Sequence, residues 1–261
     1  MNKHFRITLM MLLLLISSLG LFANPTSDGE AVMWNVYNRD SGNAMSSTLT
    51  MTLTSAKGAQ RVRSIAQYRL DSDGIERKMM FFLTPNDVKN TSFLSISYED
   101  GRGDDQFIYL PALKRVKRIA KDNTNEAFMG SDFTYDDMGT RHPQLDTHTL
   151  LGKETLAGTP VVVVQSESKT PSEYPKTISW IVDGQWYGLK KEFYAKDGTL
   201  AKTLVIDEVN LIDGIYVIGD MTMTNHQKRT STRIQMESVD FAVDLDERFF
   251  SERQMQIGPR R

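Results

Sequence analysis

Residues 47–55, STLTMTLTS, alternate without a break: Leu49, Met51 and Leu53 fall on one side, Thr48, Thr50, Thr52 and Thr54 on the other. A period of two sends successive side chains to opposite faces of a strand, so this stretch buries one face only as part of a sheet. The pattern continues in segments of similar length. AKG (56–58) is a turn before 60–70, and DSDG (71–74) a turn before 75–83, which Pro85 closes. Segments 91–99 and 105–110 flank the turn-rich DGRGD, and 114–120 follows PAL. Beyond residue 146 the candidates are 147–155, 160–167, 176–183, 187–195, 199–209, 215–225 and 228–240, with VDGQ, AKDGT and LIDGI at hairpin turns. Short strands separated by Gly/Asp turns indicate an antiparallel meander.

Two segments have helical spacing. Val32, Met33, Val36 and Tyr37 share one helical face after a Ser27 or Asp28 cap, and Gly42 ends that run. DLDERFFSERQM (244–255) reads as a short final helix capped by Asp244 or Asp246. With about a dozen strands, two or three helices and no βαβ alternation, a doubly wound sheet is excluded. No fixed-period repeat supports a propeller. Such a sheet hides its edges by closing into a barrel, or by curling into an open half-barrel plugged by helices. Its apolar face is then filled by the protein's own side chains or by a ligand.

The first 23 residues read as a secretory leader. Lys3 and Arg6 precede the apolar run 7–22, and Ala23 is a small residue at the cleavage point. Residues 24–261 then form the mature chain, a single domain, and the expected location is the periplasm. There is no cysteine, so the fold relies on packing without disulfides, and no lipidated cysteine follows the leader. Without Lys3 and Arg6, 29 basic residues face 33 acidic ones, a balance that argues against nucleic-acid binding.

The stretch most suggestive of chemistry is FMGSDFTYDDMG, 128–139, where Ser131 and three carboxylates lie among Phe128, Met129, Phe133, Tyr135 and Met138. A serine nucleophile requires a positioned base, and His142, His148 and His226 are the histidines beyond the leader. There is no G-x-S-x-G elbow, and a turn built on Ser131 and Asp132 explains the residues more simply. HPQLDTH (142–148) and EDGRGDD (99–105) lack a metal-ligand pattern, so neither metal nor cofactor is expected. The basic cluster Lys114, Arg115, Lys117 and Arg118 suits anionic headgroups or an acidic partner, and equally a solvated edge strand. Fourteen methionines and the run Met79, Met80, Phe81, Phe82 supply adaptable apolar surface, in a core or around a ligand.

Three blocks carry a family resemblance: P-x-D-V-K-x-T-x-F-L at 85–94, YLPALKRVKRI at 109–119 and FMGSDFxYDD at 128–137, with EAVMWNVYNRDSG as the helix opening. Together they resemble the LolA-like family of outer-membrane lipoprotein-sorting proteins, over essentially the whole mature chain. The resemblance implies a mainly β (α+β) fold: a strongly curved antiparallel sheet, an incomplete barrel, its concave face covered by helices. It implies a non-enzymatic periplasmic carrier of acyl chains of lipoproteins or lipids. The implied partners are an inner-membrane exporter of the resistance-nodulation-division (RND) or ABC type and an outer-membrane acceptor. Met79, Phe81, Phe93, Phe128, Met129, Phe133, Tyr135, Met221 and Met223 are the expected lining, and Trp34 a lid. A lipid-acting hydrolase using Ser131, and an envelope scaffold docking through 114–118 with a filled cup, are the competing readings.

Overall fold

The computed structural model describes residues 25–260; the leader and its cleavage point lie outside the described residues. Helix α1 (Pro25–Tyr37) precedes six strands: β1 (Ala44–Thr54), β2 (Gln60–Ser72), β3 (Ile75–Thr84), β4 (Ser92–Tyr98), β5 (Asp105–Leu110) and β6 (Arg115–Arg118). Seven more follow: β7 (Asp146–Leu156), β8 (Thr159–Ser168), β9 (Lys176–Val182), β10 (Gly188–Tyr194), β11 (Leu200–Ile212), β12 (Ile215–Asn225) and β13 (Thr230–Asp240). A single-turn 3₁₀ helix at Glu247–Phe249 and helix α2 (Glu252–Ile257) end the chain. The segments expected from alternation and turns are all strands.

All thirteen strands lie in one sheet, in the order β6-β5-β4-β3-β2-β1-β13-β12-β11-β10-β9-β8-β7. Two meanders therefore run outward from a central β1–β13 pair, where Leu49 faces Met236 and Met51 faces Ile234. The sheet is open: β6 and β7 are its two edges and do not pair. The chain between them, residues 119–145, is a crossing segment of short 3₁₀ turns.

The pairing registers separate two faces along the whole sheet. One carries Met51, Ile65, Met80, Phe82, Phe93, Phe193, Met223 and Ile234, and the crossing segment packs on it through Phe128, Phe133 and Met138. The other carries Tyr68, Leu70, Met79, Phe81 and Leu94, and is covered by Phe249, Phe250 and Met255 from the C-terminal end.

The sheet bends towards the crossing segment. Gln106 on β5 donates to the Tyr135 carbonyl at 2.8 Å, and Lys202 on β11 donates to the Asp132 carbonyl at 2.8 Å. Seven strand-to-strand steps separate β5 from β11, roughly 34 Å in a flat sheet. The two carbonyls are three residues apart, at most about 11 Å. One glutamine and one lysine side chain do not span the difference, so the face that holds the segment is the inner one.

The cover of that face differs from the expected one. Helix α1 does lie on it, but only at the β7–β9 end, where Val32, Met33 and Val36 meet Leu150, Val162, Val164 and Ile181. Helix α2 lies on the opposite, outer face. Helices thus provide little of the inner cover, and most of it is the irregular crossing segment. The reason is topological: the chain must travel from one sheet edge to the other, and the inner face is its route.

The docking of α1 depends on Gly29. A Cβ there would meet the His148 carbonyl oxygen and the Leu150 nitrogen of β7, both at 2.7 Å. In an unhindered helix Gly→Ala stabilises by roughly 0.5–1 kcal/mol. Gly29→Ala is expected to do the reverse, costing about 1–3 kcal/mol because backbone cannot yield as a side chain does. Thermal unfolding would show it, and a raised melting temperature would contradict this account of the α1–β7 contact.

Candidate functional site

The crossing segment is anchored where it was most suggestive of chemistry. Residues 127–134 form a miniature hairpin: Ala127 and Thr134 bridge, and the Phe128 N–H donates to the Phe133 carbonyl at 2.8 Å. Its tip, Met129 and Gly130, has positive φ at both positions, tolerable for glycine and unusual for methionine. The tip is held in place by Arg63, which donates to the Met129 carbonyl at 2.7 Å. Phe128 is fully buried among Phe82, Phe93 and Tyr135, with ring centroids 5.1–6.0 Å away. Burial of one such ring is worth roughly 1.5–3 kcal/mol.

Asp132 is the anchor. Its carboxylate accepts from the hydroxyls of Thr230 and Thr232 on β13, its N–H donates to Thr232 Oγ1 at 3.0 Å, and its carbonyl accepts from Lys202. Ser131, also buried, accepts from the Phe133 N–H at 3.2 Å and donates to its carbonyl at 3.4 Å. The three histidines beyond the leader have other partners. His142 stacks edge-on with Trp34 and Tyr37, His148 bonds Ser166 and the Pro143 carbonyl, and His226 bonds Thr203. Trp34 thus meets the far end of the crossing segment rather than the cavities below.

Among the described residues, two neighbouring cavities with apolar sides lie between the segment and the inner face. One, about 280 Å³, is lined by Phe133, Met138, Phe193, Leu204, Met221 and Met223 on its apolar side. Asp136, Asp137, Arg141, Asp146 and Lys191 form its polar wall. The second, about 240 Å³, is lined largely by Met45, Leu49, Met80, Ile218, Ile234 and Met236. Asp137, Met138 and Met221 border both. Ligand pockets occupy about 300–1,000 Å³. Each cavity alone falls below that range, and the two joined fall within it. Of the three shared residues, Met138 and Met221 are unbranched and adaptable.

The polar wall is organised around Arg141. It donates to both Asp146 oxygens, at 2.7 and 2.6 Å, and to Asp136 at 3.2 Å. Asp137 accepts from the Thr134 N–H at 2.7 Å and its hydroxyl at 2.9 Å, closing the turn. Burial raises the pKa of Asp136, and burial likewise pushes Asp104, beside the end of the segment, up to about 6. Burial lowers the pKa of Lys191, against the pull of Asp137. Deeper along β3, burial opposes the charge of Glu76, but Lys78 and Arg69 outweigh it and hold the carboxyl below its usual range.

The expected lining residues divide. Phe93, Phe128, Phe133, Met129 and Tyr135 join one inner cluster with Met221 and Met223. Of these, Phe133, Met221 and Met223 border a cavity. Met79 and Phe81 face outward onto Phe249, while Met80 and Phe82 take the inner positions. Because four apolar residues run consecutively in β3, periodicity there carries no phase, and only the pairing with β2 sets it. Phe193, Leu204 and Lys191 were missed, since their strands alternate like any half-buried strand. Lys114, Arg115, Lys117 and Arg118 are exposed at the β6 edge, with Arg118 paired to Asp105.

An open antiparallel sheet whose bent inner face is covered by a crossing segment defines the LolA-like fold. A LolA superfamily protein from Nitrosomonas europaea shares it at a TM-score of 0.67, with 14% identity over 87% of this chain and 98% of that one. A DUF1329 family protein from Desulfovibrio piger gives a TM-score of 0.84, with 23% identity over 89% and 100%. A domain from Vibrio parahaemolyticus described as a candidate outer membrane lipoprotein-sorting protein gives 0.84, with 31% identity over 88% of this chain and 99% of that domain. The model of a family described as an uncharacterized protein matches residues 74–257, and no curated protein matches. The chain belongs to the LolA-like family of outer-membrane lipoprotein-sorting proteins.

With Asp132 as the anchor, Asp132→Ala should cost about 2–4 kcal/mol, because the buried Thr232 and half-buried Thr230 hydroxyls lose their acceptor. Ser131→Ala should cost under about 1 kcal/mol, since it removes only local bonds. Denaturant unfolding of the two variants gives the ranking, and the reverse order would contradict this assignment.

Proposed function

We propose that this protein is a non-enzymatic carrier that receives the acyl chain of a lipid or lipoprotein on the inner face of its sheet and passes it towards the outer membrane. The observation that carries this reading is the pair of neighbouring cavities with Met-, Leu- and Phe-rich sides that share Met138 and Met221, with Asp137, as lining. On this reading the bend is that of an incomplete barrel, and residues 24–261 act as one half-barrel domain. The leader at 1–23 would deliver it to the periplasm. The Vibrio parahaemolyticus relative, described in terms of lipoprotein sorting, favours the same task.

The transfer is an exchange of buried surface. Each CH₂ of a chain entering the cavities gains about 0.8 kcal/mol. Part of that gain is offset, because Met138 is already buried there and must be displaced. A carrier requires this offset, since cargo bound at the full hydrophobic gain would not leave. The crossing segment is suited to yield in part. Its 127–134 hairpin is tied to β13, whereas Met138 is held through one backbone contact from the sheet, the 3.1 Å bond from Lys78 to its carbonyl. An exporter in the inner membrane, of RND or ABC type, and an outer-membrane acceptor are the partners proposed, with the exposed basic residues 114–118 as the contact for acidic groups.

Lipid extraction from the purified protein followed by mass spectrometry, together with uptake of a fluorescent fatty acid, tests the reading. Met221→Trp should fill the junction of the two cavities and lower uptake at least roughly tenfold, while the extra bulk costs no more than about 1–3 kcal/mol of stability. Neither extracted lipid nor uptake by the unaltered protein would contradict the carrier function.

A further inference from the structure

Charge is sorted between the two ends of the sheet. Antiparallel strands turn alternately at one end and the other, so the turns β1–β2, β3–β4, β5–β6, β10–β11 and β12–β13 share an end. They are neighbouring tips, each two strands from the next, roughly 10 Å along the sheet. Every one is basic: Lys57, Lys89, Lys114, Lys196, and Lys228 with Arg229, all exposed. Among the described residues none of these cations has a carboxylate oxygen within 4.0 Å. The acids on the same tips are Asp87 and Asp197, and Asp197 is engaged by the N–H and the hydroxyl of Thr199, at 3.0 and 2.7 Å. The remaining turn at this end, β8–β9, balances Lys169 with Glu173. At the opposite end each charged turn presents an exposed aspartate: Asp73, Asp100, Asp183 and Asp213. The cation on those turns, Arg102, pairs with Asp100 at 3.5 Å.

The basic end also carries apolar side chains in the open. Leu113 on the β5–β6 tip and Leu200 at the β10–β11 tip are 53% and 37% exposed. We propose that these five basic tips form a docking surface for a membrane rich in anionic phospholipid, with the acidic end directed away from it. Tips about 10 Å apart lie within about one Debye length of each other at moderate salt, so their fields add. Beyond the leader acidic residues outnumber basic ones, and a uniform spread of that charge would be repelled by such a membrane. Sorting the charge lets the chain approach, and in one orientation. Lipid headgroups diffuse sideways and meet cations set along the arc of a bent sheet, whereas an acidic protein needs its groups at matching fixed places. Leu113 and Leu200 suit the same partner, because an apolar side chain beside a cation enters the headgroup boundary while the cation stays at the phosphates. The inference goes beyond the carrier reading and stands without it. The two fit together: Ser172, Tyr174 and Pro175 of the β8–β9 turn border the larger cavity, so docking brings that cavity to the bilayer.

The test is flotation of the purified protein with vesicles of phosphatidylethanolamine and phosphatidylglycerol, against vesicles of phosphatidylcholine. The unaltered protein should float with the anionic vesicles at low salt, remain in solution with the neutral ones, and be released as salt screens the contact. Lys57→Gln with Lys228→Gln removes a cation from each of the two central tips. It should weaken partition roughly 30-fold, about fivefold for each cation held near the headgroups. Arg102→Gln with Lys153→Gln changes the net charge equally near the opposite end, at side chains 59% and 67% exposed. It should leave partition within about twofold, because charges far from the contact are screened. Leu113→Ser, which alters no charge, should also weaken partition. No flotation with anionic vesicles at low salt, equal loss in the two charge variants, or equal binding to phosphatidylcholine overturns the proposal. Capture by soluble polyglutamate without flotation also overturns it, and assigns the tips to an acidic protein. Uptake of a fluorescent fatty acid in free solution reads the carrier separately: its failure in the unaltered protein removes that reading and leaves the docking surface standing.

Discussion

The carboxylate of Asp132 ties together parts of the chain that the sheet alone would leave far apart. It receives two hydroxyls from β13, and the same residue's carbonyl receives Lys202 from β11. From the other arm Arg63 and Gln106 reach the same short segment. These contacts fix the crossing segment against the inner face from both sides of the central β1–β13 pair. A thirteen-stranded open sheet has two edges to manage, and joining them through its own inner face makes the connection part of the core. The buried aromatic group around Phe128 then forms over β3 and β4, in the arm that leads to the β6 edge.

That arrangement also explains how an apolar face can be both covered and usable. The hairpin at 127–134 buries Phe128 and residues 131–134 and is tied to β13 through Asp132, so that part behaves as sheet core. From Asp136 onward the segment is held by Arg141 with Asp136 and Asp146, by Lys78 on the Met138 carbonyl, and by Thr140, which bonds Ser97 and Glu76. The two cavities lie beneath Asp137 and Met138, between the hairpin and the Thr140 contacts.

Much of this was legible in the amino-acid order. Alternation and Gly/Asp turns located every strand, because both signals are local. The pairing of β1 with β13 was not legible, since periodicity says nothing about which distant strand is a neighbour. The run Met79 to Phe82 was apolar on both faces, so its phase awaited the register with β2. The stretch FMGSDFTYDDMG read correctly as a turn around Gly130, Ser131 and Asp132, but the role of Asp132 as anchor depends on threonines a hundred residues away. Lys191 was invisible for the opposite reason: a lysine in a half-polar strand is ordinary, and only its place beneath the segment makes it unusual.

Hydrogen exchange on the crossing segment, with and without dodecanoate, tests the division into a fixed and a yielding part most directly. The account predicts that ligand accelerates exchange at the amides of Met138 and Gly139, whose partners are the carbonyls of Tyr135 and Asp136, while those of Phe128 and Ser131 stay protected. Bound ligand with unchanged exchange at both places, or with the hairpin opening first, would contradict it.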